Sequence, residues 1–377
     1  MKIAIENIKR TVLNTLLKAG AVSVSFSFKL LKHTNWTGLY LSTIMREYER
    51  NYPYYMAYII RPKNADQVVS IEESDTYTET TGIIMQGPLK QENNFTVETV
   101  KLYAKMYPGA TVIISTWNNE NAKIIEELKS QPNCIVVQND YPQYSGILNV
   151  NYQAWSTLNG IKKAKELGLK YVWKTRADHR YLRKGAVRHM RLLLEEFPVD
   201  ENVKYQRKRI VTAAAYLFRP YWNMDQWNFG YIDDMYDYWN HDFVQKDIKS
   251  REVTEYLKKN HVKWIDRTRK HLEAETSILL DYFRRMEGKE PELTVKEYWR
   301  RLSAQFIVVG KGEFFQQWIK DEFGSKYDES MMSGIYIADD TTEKCNSYIW
   351  DFGMWLALYK RELVYKEEYE KFKENRY

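Results

Sequence analysis

Short apolar runs alternate with amphipathic segments between residues 81 and 180, and this alternation restricts the chain to few folds. Each apolar run has the length of one strand. The runs are residues 81–89, 110–117, 133–140 and 170–180. The segments between them space their apolar residues as helices do, and breaks such as Gly168 end them. Strands that alternate with helices predict βαβ units, and hence an α/β fold with a mostly parallel sheet flanked by helices.

Polar and charged residues follow each predicted strand, at the ends that a parallel sheet brings to one edge. The strand ends are Gln86-Gly87-Pro88, Thr116-Trp117-Asn118, Asn139-Asp140 and Arg176-Ala177-Asp178. Ligands of open α/β sheets bind beyond the carboxyl ends of the strands. Because these ends supply amides, a carboxylate, an aromatic ring and a guanidinium, we expect them to line a nucleotide site. The chain has no GxGxxG and no GxxxxGK(S/T) motif, so neither a dinucleotide fingerprint nor a P-loop is predicted.

The fourth predicted strand runs into a dense group of charged side chains in the segment YVWKTRADHR, residues 171–180. Asp178 offers hard oxygen ligands of the kind that Mg²⁺ or Mn²⁺ prefers. Lys174, Arg176 and Arg180 are cations that can neutralise phosphate directly. Arg176 stands where an Asp-x-Asp pair would have its first carboxylate, so metal-independent chemistry is an open alternative. A structural Asp–Arg pair is the simplest alternative for the same residues.

Later segments contain further candidate groups. In MDQWNFGYIDDMYDYW, Asp225 stands beside Trp227 and Phe229, and this mixture predicts an aromatic floor with a carboxylate that suits a sugar ring. Glu275 lies at the predicted start of a helix, where a carboxylate can act as a general base or can simply favour the helix dipole. Lys326 lies in a predicted loop, from which it can reach a phosphate, although a solvated surface lysine is the default alternative.

Most of the net positive charge lies in the first fifty residues. The whole chain has a formal net charge of +6, and residues 1–50 contribute eight Lys and Arg against three Glu, or +5. An amphipathic helix that ends near Gly20 and a strand over residues 22–30 are predicted there, because the spacing of apolar residues changes from helical to alternating. These basic, apolar faces predict contact with an anionic membrane, or packing on the main domain or on a second subunit in a homodimer.

The remaining composition bears on location and on the class of partner. The 377 residues include only two cysteines, Cys134 and Cys345, and no CxxC pair, which favours a reducing, cytoplasmic environment. No apolar run reaches the roughly 18 residues that a transmembrane helix needs. The basic excess is small and is not interleaved with an RNA-binding motif, so we expect no nucleic-acid partner.

Several of these segments resemble, in order and spacing, the WavE lipopolysaccharide synthesis family. They are GIIMQGP, TVETVKLYAKMYPGATVIISTW, NVNYQAWSTLNGIKKAKELGLKYVWKTRADHR, and MDQWNFG followed by DDMYDYW. In that family the fourth strand end reads like Lys-Thr-Arg-x-Asp-x-Arg, a pattern filled here by Lys174, Thr175, Arg176, Asp178 and Arg180. The family's Asp-Trp-Phe-x-Phe-Gly-like segment begins here at Asp225, and its third position, Trp227, differs in character. The resemblance covers roughly residues 80–330.

The resemblance implies a GT-A-like fold and a sugar transferase of bacterial surface polysaccharide assembly. Together with the pattern of residues at the strand ends, it predicts a nucleotide sugar and a glycan or lipid-linked glycan acceptor as substrates, with Mg²⁺ or Mn²⁺ held on Asp178. The donor would be bound by Gln86, Gly87, Thr116, Asp140, Lys174, Arg180 and Lys326. Arg176 would stabilise the negative charge that develops on the leaving diphosphate. Glu275 or Asp225 would take the proton from the attacking hydroxyl, which gives an inverting single displacement.

This interpretation divides the chain into three segments. Residues 1–78 form a basic amphipathic N-terminal extension and linker, residues 79–330 a GT-A-like catalytic domain, and residues 331–377 a C-terminal helical extension. The enzyme is expected in the cytoplasm, or at the inner face of the cytoplasmic membrane. One alternative is a CDP-dependent phospho-polyol transferase on the same fold, and another is a non-catalytic, membrane-peripheral scaffold that binds glycans.

Overall fold

The computed structural model divides the chain into two compact units, Met1–Arg61 and Pro62–Tyr377. It describes residues 18–31, 36–51, 61–68, 73–217, 219–260, 264–310, 312–319, 325–326 and 349–361. Within these ranges, no helix combines the length and the apolar character that crossing a membrane requires.

The described part of the first unit is helical. Residues 18–31 form helix α1, and Trp36–Asn51 form α2. The rings of Phe28 and Tyr40 meet edge to face at 5.5 Å between centroids, so the two helices touch. The strand predicted over residues 22–30 is therefore wrong: a helix satisfies its own backbone hydrogen bonds, whereas a strand needs a neighbouring strand. The amphipathic helix predicted before α1 falls mostly outside the described residues.

Seven strands of the described residues form the central sheet of the second unit. They are β1 Thr81–Gln86, β2 Thr111–Trp117, β3 Cys134–Asn139, β5 Tyr171–Arg176, β7 Ile210–Thr212, β8 Asn228–Tyr231 and β10 Phe306–Val308. Their order across the sheet is β10-β7-β8-β5-β1-β2-β3. β8 runs antiparallel to β5 and β7, and the other neighbouring pairs are parallel. The predicted α/β class and its mostly parallel sheet are confirmed.

Helices connect and flank these strands. They are α3 Thr76–Glu79, α4 Phe95–Met106, α5 Ala122–Lys129, α6 Val150–Glu166, α7 Ala186–Glu196, α8 Ile232–Trp239, α9 Ser250–Asn260, α10 Trp264–Arg269, α11 Ala274–Glu287, α12 Val295–Gln305 and α13 Phe352–Tyr359. The helices predicted between the first four strands are present as α4, α5 and α6. Each covers the sheet with apolar residues, because strands buried on both faces need helices on both sides.

Smaller sheets lie beside the central one. β6 His179–Tyr181 pairs antiparallel with β11 Gln316–Ile319, which pairs in turn with β12 Ser325–Lys326. β4 Gly146–Ile147 pairs in parallel with β9 Asp247–Ile248. The chain therefore leaves the central sheet after β5 and enters a different sheet within three residues, which decides where the charged side chains after β5 lie.

The described part of the predicted C-terminal extension packs on the core of the second unit. The Trp350 backbone N–H donates to the Ala215 carbonyl at 2.9 Å. Trp355 of α13 is fully buried, and its ring meets that of Phe197 edge to face at 5.2 Å between centroids. Residues 349–361 thus contribute to the fold itself, while residues 362–377 lie outside the described part of the chain.

Gly160 of α6 lies tightly against the central sheet. A Cβ atom built at this position would lie 2.5 Å from Ile84 Cγ2 of β1 and 3.3 Å from Ser115 Cβ of β2. Gly160→Ala should therefore lower the free energy of unfolding by about 1–3 kcal/mol, because the extra methyl overpacks a rigid interface. Urea denaturation measures this change. In the matched helical variant Gly38→Ala, the added methyl group has no other atom within 4 Å. An equal loss of unfolding free energy in that variant would contradict the packing argument.

Candidate functional site

A cleft of about 370 Å³ lies at the carboxyl ends of β1, β2 and β5. It is lined by Gln86, Gly87, Pro88, Trp117, Tyr141, Leu148, Asn149, Tyr152, Gln153, Arg176 and Asp178. Gln86, Trp117 and Arg176 are the last residues of their strands. Gly87 has a φ of 100°, a conformation that residues with side chains rarely adopt, and it turns the chain away from β1. The predicted ends of these three strands thus meet in one cleft.

Three aromatic rings form one wall of the cleft. Trp117 and Tyr141 stack at 4.1 Å between centroids with 16° between their planes. Tyr152 meets both rings edge to face, at 5.6 Å from Trp117 and 5.1 Å from Tyr141. Tyr141 is 46% exposed, so part of its surface is available to a ligand. Such rings stack on nucleobases and on other flat or apolar ligand faces.

A partly buried ion pair lies at the end of β5. Arg176 Nε and Nη2 donate to Asp178 Oδ1 and Oδ2, both at 2.9 Å, and Trp318 Nε1 donates to Oδ2 at 3.0 Å. Burial alone would raise the pKa of Asp178, but the neighbouring His179 and Arg176 outweigh it and hold this pKa well below its usual range. Burial alone would lower the pKa of Arg176, and Asp178 reverses this and raises it. Both groups are therefore charged at neutral pH.

A second group of ionisable side chains lies directly behind the cleft. Cleft-lining Gln153 donates from Nε2 to Asp225 Oδ2 at 2.5 Å. The Lys174 ammonium donates to the Asp225 carbonyl oxygen and lies 4.4 Å from the centre of the Trp239 ring. Lys174 is fully buried, and burial lowers its pKa to about 7, against the opposing attraction of Asp225. This arrangement places a titratable amine beside a carboxylate.

Glu275, near the start of α11, completes this group. Burial, and then the negative charges of Asp225 and Glu273, raise the pKa of Glu275 well above its usual range. Its carboxyl therefore favours the neutral form. The group thus brings two carboxyl side chains and one amine together behind the cleft, and these are residue types that proton-transfer sites use.

The predicted nucleotide ligands divide into two groups. Gln86 and Gly87 line the cleft, as do Arg176 and Asp178. Thr116 is fully buried and donates to Glu120 Oε1 at 3.0 Å, which turns it away from the cleft. The exposed Asp140 accepts a hydrogen bond from Asn118 Nδ2 at 2.5 Å and is not part of the lining.

Arg180 is also outside the cleft, because the chain has already entered β6 at this position. Its guanidinium lies 4.4 Å from the centre of the Phe95 ring and donates to Thr99 Oγ1 and to the Pro62 carbonyl, both at 2.9 Å. A side chain held in this way ties α4 to the segment before β1 and does not face a ligand. Lys326, the remaining predicted phosphate ligand, has its backbone in β12, opposite Trp318 of β11.

The predicted aromatic floor is wrong. Trp227 and Phe229 are fully buried. The Trp227 ring packs edge to face on Phe314 at 4.8 Å and on Trp173 at 6.3 Å between centroids. Phe229 belongs to β8, an inner strand of the central sheet, and such strands bury both of their faces. The aromatic side chains that line the cleft are instead Trp117, Tyr141 and Tyr152, and α6 contributes Tyr152.

The residues around Asp178 do not fit a divalent metal ion. Both carboxylate oxygens already accept hydrogen bonds, two from Arg176 and one from Trp318. Across the part of the chain that the structure describes, no three His, Cys, Asp or Glu side chains are grouped to hold a metal. Mg²⁺ and Mn²⁺ prefer several oxygen ligands, so a single carboxylate paired with arginine is a poor site.

Most of the chain matches a known protein family. The sequence profile described as "WavE lipopolysaccharide synthesis" matches residues 81–375, and so extends through the C-terminal residues beyond the predicted limit near residue 330. No curated protein matches the chain. Among solved structures, the apo crystal structure of mouse xyloside xylosyltransferase 1 is similar, with 10% sequence identity and a TM-score of 0.27. That similarity covers 61% of this chain and 85% of the mouse chain.

Proposed function

The chain belongs to the WavE lipopolysaccharide synthesis family, and on this premise we propose that it is a GT-A-like glycosyltransferase. It would move a sugar from a nucleotide-sugar donor to a growing bacterial surface glycan of the lipopolysaccharide or capsule type, with inversion at the anomeric carbon. The observation that carries the proposal is the cleft, in which a paired guanidinium and an aromatic wall meet at the carboxyl ends of parallel strands.

The two sides of the cleft suit the two parts of a nucleoside diphosphate. Arg176 supplies a permanent positive charge and planar N–H donors, which match phosphate oxygens. Tyr141, supported from behind by Trp117, supplies a flat surface for the base. Gln86 adds a polar side chain between them, at the end of β1. Because ligands of open α/β sheets bind at this edge, the donor needs no rearrangement of the sheet.

Asp225 is the better of the two candidate bases. It is hydrogen-bonded to cleft-lining Gln153, whereas the raised pKa of Glu275 keeps that carboxyl neutral. In the proposed step the acceptor oxygen forms a bond to the anomeric carbon, and the bond from that carbon to the diphosphate oxygen breaks. Its electron pair leaves with the nucleoside diphosphate, and the hydroxyl proton passes to Asp225. One displacement of this kind inverts the configuration at carbon.

Removing the exposed ring of the aromatic wall should weaken nucleotide binding. Tyr141→Ala should raise the Kd for a nucleoside diphosphate by roughly 5- to 150-fold, which corresponds to about 1–3 kcal/mol for the loss of one stacked base. Calorimetry with the purified protein measures the Kd. As a matched control, Tyr231→Ala alters a partly exposed tyrosine that pairs with Tyr171, the first residue of β5, and so lies at the other end of this strand from the cleft. Equal weakening by both variants would contradict the assignment of Tyr141.

The proposed reaction is tested by incubating the protein with a panel of nucleotide sugars and CDP-polyols, with and without a lipopolysaccharide-type acceptor. We expect nucleoside diphosphate release and a product whose mass rises by one sugar residue. A product that gains phosphorus would replace this proposal with phospho-polyol transfer from a CDP donor. Binding of the glycan with no release from any donor would support a non-catalytic scaffold instead. NMR of the new linkage shows whether the anomeric configuration is inverted.

A further inference from the structure

The Arg176–Asp178 pair leaves the guanidinium with unused donors. An arginine has five N–H donors, and two of them bind the Asp178 carboxylate. Counting only contacts with described residues, three donors therefore remain for the oxygens of a ligand. The pair is rigid as well as charged, because the Ile319 backbone N–H donates to the Asp178 carbonyl at 3.0 Å and Trp318 holds the carboxylate. Arg176 is 28% exposed and reaches the cleft, whereas Asp178 is only 10% exposed.

A divalent cation fits this arrangement poorly. Three hydrogen bonds already occupy most of the roughly four acceptor sites of the Asp178 carboxylate. An ion bound to Asp178 would also lie next to the Arg176 guanidinium. The metal ion and the guanidinium, both positively charged and adjacent, would repel each other strongly in a partly buried site. Among the described residues, no group of three or more His, Cys, Asp or Glu side chains is placed to share such an ion.

We propose that Arg176, held by Asp178 and Trp318, neutralises the diphosphate of the donor without a divalent metal ion. This inference rests on the proposed function and deepens it. When the bond from the anomeric carbon to oxygen breaks, its electron pair adds one negative charge to the departing diphosphate. Preorganised donors aimed at a developing charge stabilise the transition state. In this site Asp178 acts as a positioning residue, and Arg176 is the group that touches the diphosphate.

Calorimetric titration of the full-length protein with UDP, CDP and GDP, in EDTA and then in Mn²⁺, tests the inference. We expect one nucleotide to bind with a similar Kd in both conditions. Arg176→Gln should weaken that binding at least about tenfold. The matched control Arg188→Ala, which removes another aspartate-paired arginine that does not line the cleft, should leave it unchanged. Asp178→Asn should weaken binding less than Arg176→Gln does, because the guanidinium remains but is less firmly held.

The possible failures are distinguishable. A nucleotide that binds only in Mn²⁺ would overturn the metal-free inference while leaving the glycosyltransferase proposal in place. If none of the three nucleotides binds in either condition, the proposed function fails as well. Arg176→Gln could fail to fold, because Asp178 would lose its charged partner. The comparison of wild-type nucleotide binding in EDTA and in Mn²⁺ needs no variant, so it tests the inference in that case as well.

A second, independent observation concerns the surface of α1 and α2. Large apolar side chains on these helices are 40–69% exposed. They are Val22, Phe26, Leu30, Trp36, Leu39 and Ile44. The first three recur every four residues and so share one face of α1. None of the residues of α2 is buried, so this helix contributes no core of its own.

Basic residues accompany this apolar surface, chiefly on α1, where Lys18 and Lys29 lie. On α2, Arg46 and Arg50 are balanced by Glu47 and Glu49, and Arg50 pairs with Glu47 at 2.5 Å. The first fifty residues carry a net charge of +5, from eight basic and three acidic side chains. We propose that α1 and α2 bind an anionic lipid surface, with the apolar side chains entering the interface and the basic ones meeting lipid phosphates. A lipid-linked acceptor would then lie at the same surface, at the inner face of the cytoplasmic membrane.

Sedimentation with vesicles tests this second proposal. We expect the full chain to bind phosphatidylglycerol vesicles at low salt and not to bind phosphatidylcholine vesicles. The double variant Phe26→Ser, Leu30→Ser should bind phosphatidylglycerol vesicles at least about tenfold more weakly than wild type. The matched double variant Leu167→Ser, Leu192→Ser, at exposed leucines of the second unit, should keep it. Unchanged binding by the first variant would overturn the proposal, as would a wild type that ignores both vesicles and uses this surface to form dimers.

Discussion

Replacing Asp225 with asparagine should lower the turnover number of the proposed transfer by about 10²–10⁴-fold, the range typical for loss of a general base. Asparagine has nearly the same shape and can still accept the hydrogen bond that Gln153 donates at 2.5 Å. The fold and donor binding should therefore be preserved while proton acceptance is lost. The measurement is the steady-state rate with the donor identified in the panel, together with the Kd for the matching nucleoside diphosphate.

Glu275→Gln is the matched control for this prediction. Because burial and the charge of Asp225 raise the pKa of Glu275, glutamine resembles the neutral carboxyl that is already present. We expect this variant to stay within about tenfold of the wild-type rate. The opposite ranking, with Glu275→Gln inactive and Asp225→Asn active, would assign the base to Glu275 instead.

Replacing Lys174 with methionine should make the stability difference from wild type depend on pH. Burial lowers the pKa of Lys174 to about 7 in the folded protein, against a reference value of 10.5. Between these two values the unfolded chain binds more protons than the folded one, so wild-type stability rises with pH relative to the variant. The slope should approach about 1.4 kcal/mol per pH unit, and below pH 7 the difference should level off.

Urea denaturation of both proteins at intervals between pH 6 and 10 measures this slope. The matched control Lys165→Met removes a lysine that also lies over an aromatic ring, 4.8 Å from the centre of Tyr236, but is 41% exposed. The difference between Lys165→Met and wild type should stay flat. A flat difference for Lys174→Met as well would show that this amine is not titrating between the two states in this range.

The sequence was sufficient to predict the framework of the site because βαβ units leave a strong local signal. The runs that form β1, β2 and β5 contain consecutive apolar residues and are followed by polar or charged ones. Parallel pairing then brings those ends together whatever the rest of the chain does. The pattern of residues alone therefore placed Gln86, Trp117, Arg176 and Asp178 at one edge, and all four line the cleft.

The orientation of side chains beyond the strands could not be predicted in the same way. Arg180 follows Asp178 by two residues, yet it packs against Phe95, because the chain changes sheets between them. Trp227 has the composition of a ligand platform, but it lies next to an inner strand and is buried. Conversely, Tyr152 and Gln153 reach the cleft from the first turn of α6, and only the rule that such helices start at the ligand edge points to them.

A structure of the protein soaked with the nucleoside diphosphate selected by calorimetry, in the presence of Mn²⁺, tests the central claim most directly. We predict diphosphate oxygens within about 3 Å of the Arg176 guanidinium, the base against Tyr141, and Asp178 still paired with Arg176. A nucleotide bound outside this cleft would contradict the account. So would a Mn²⁺ ion between the diphosphate and an Asp178 released from Arg176.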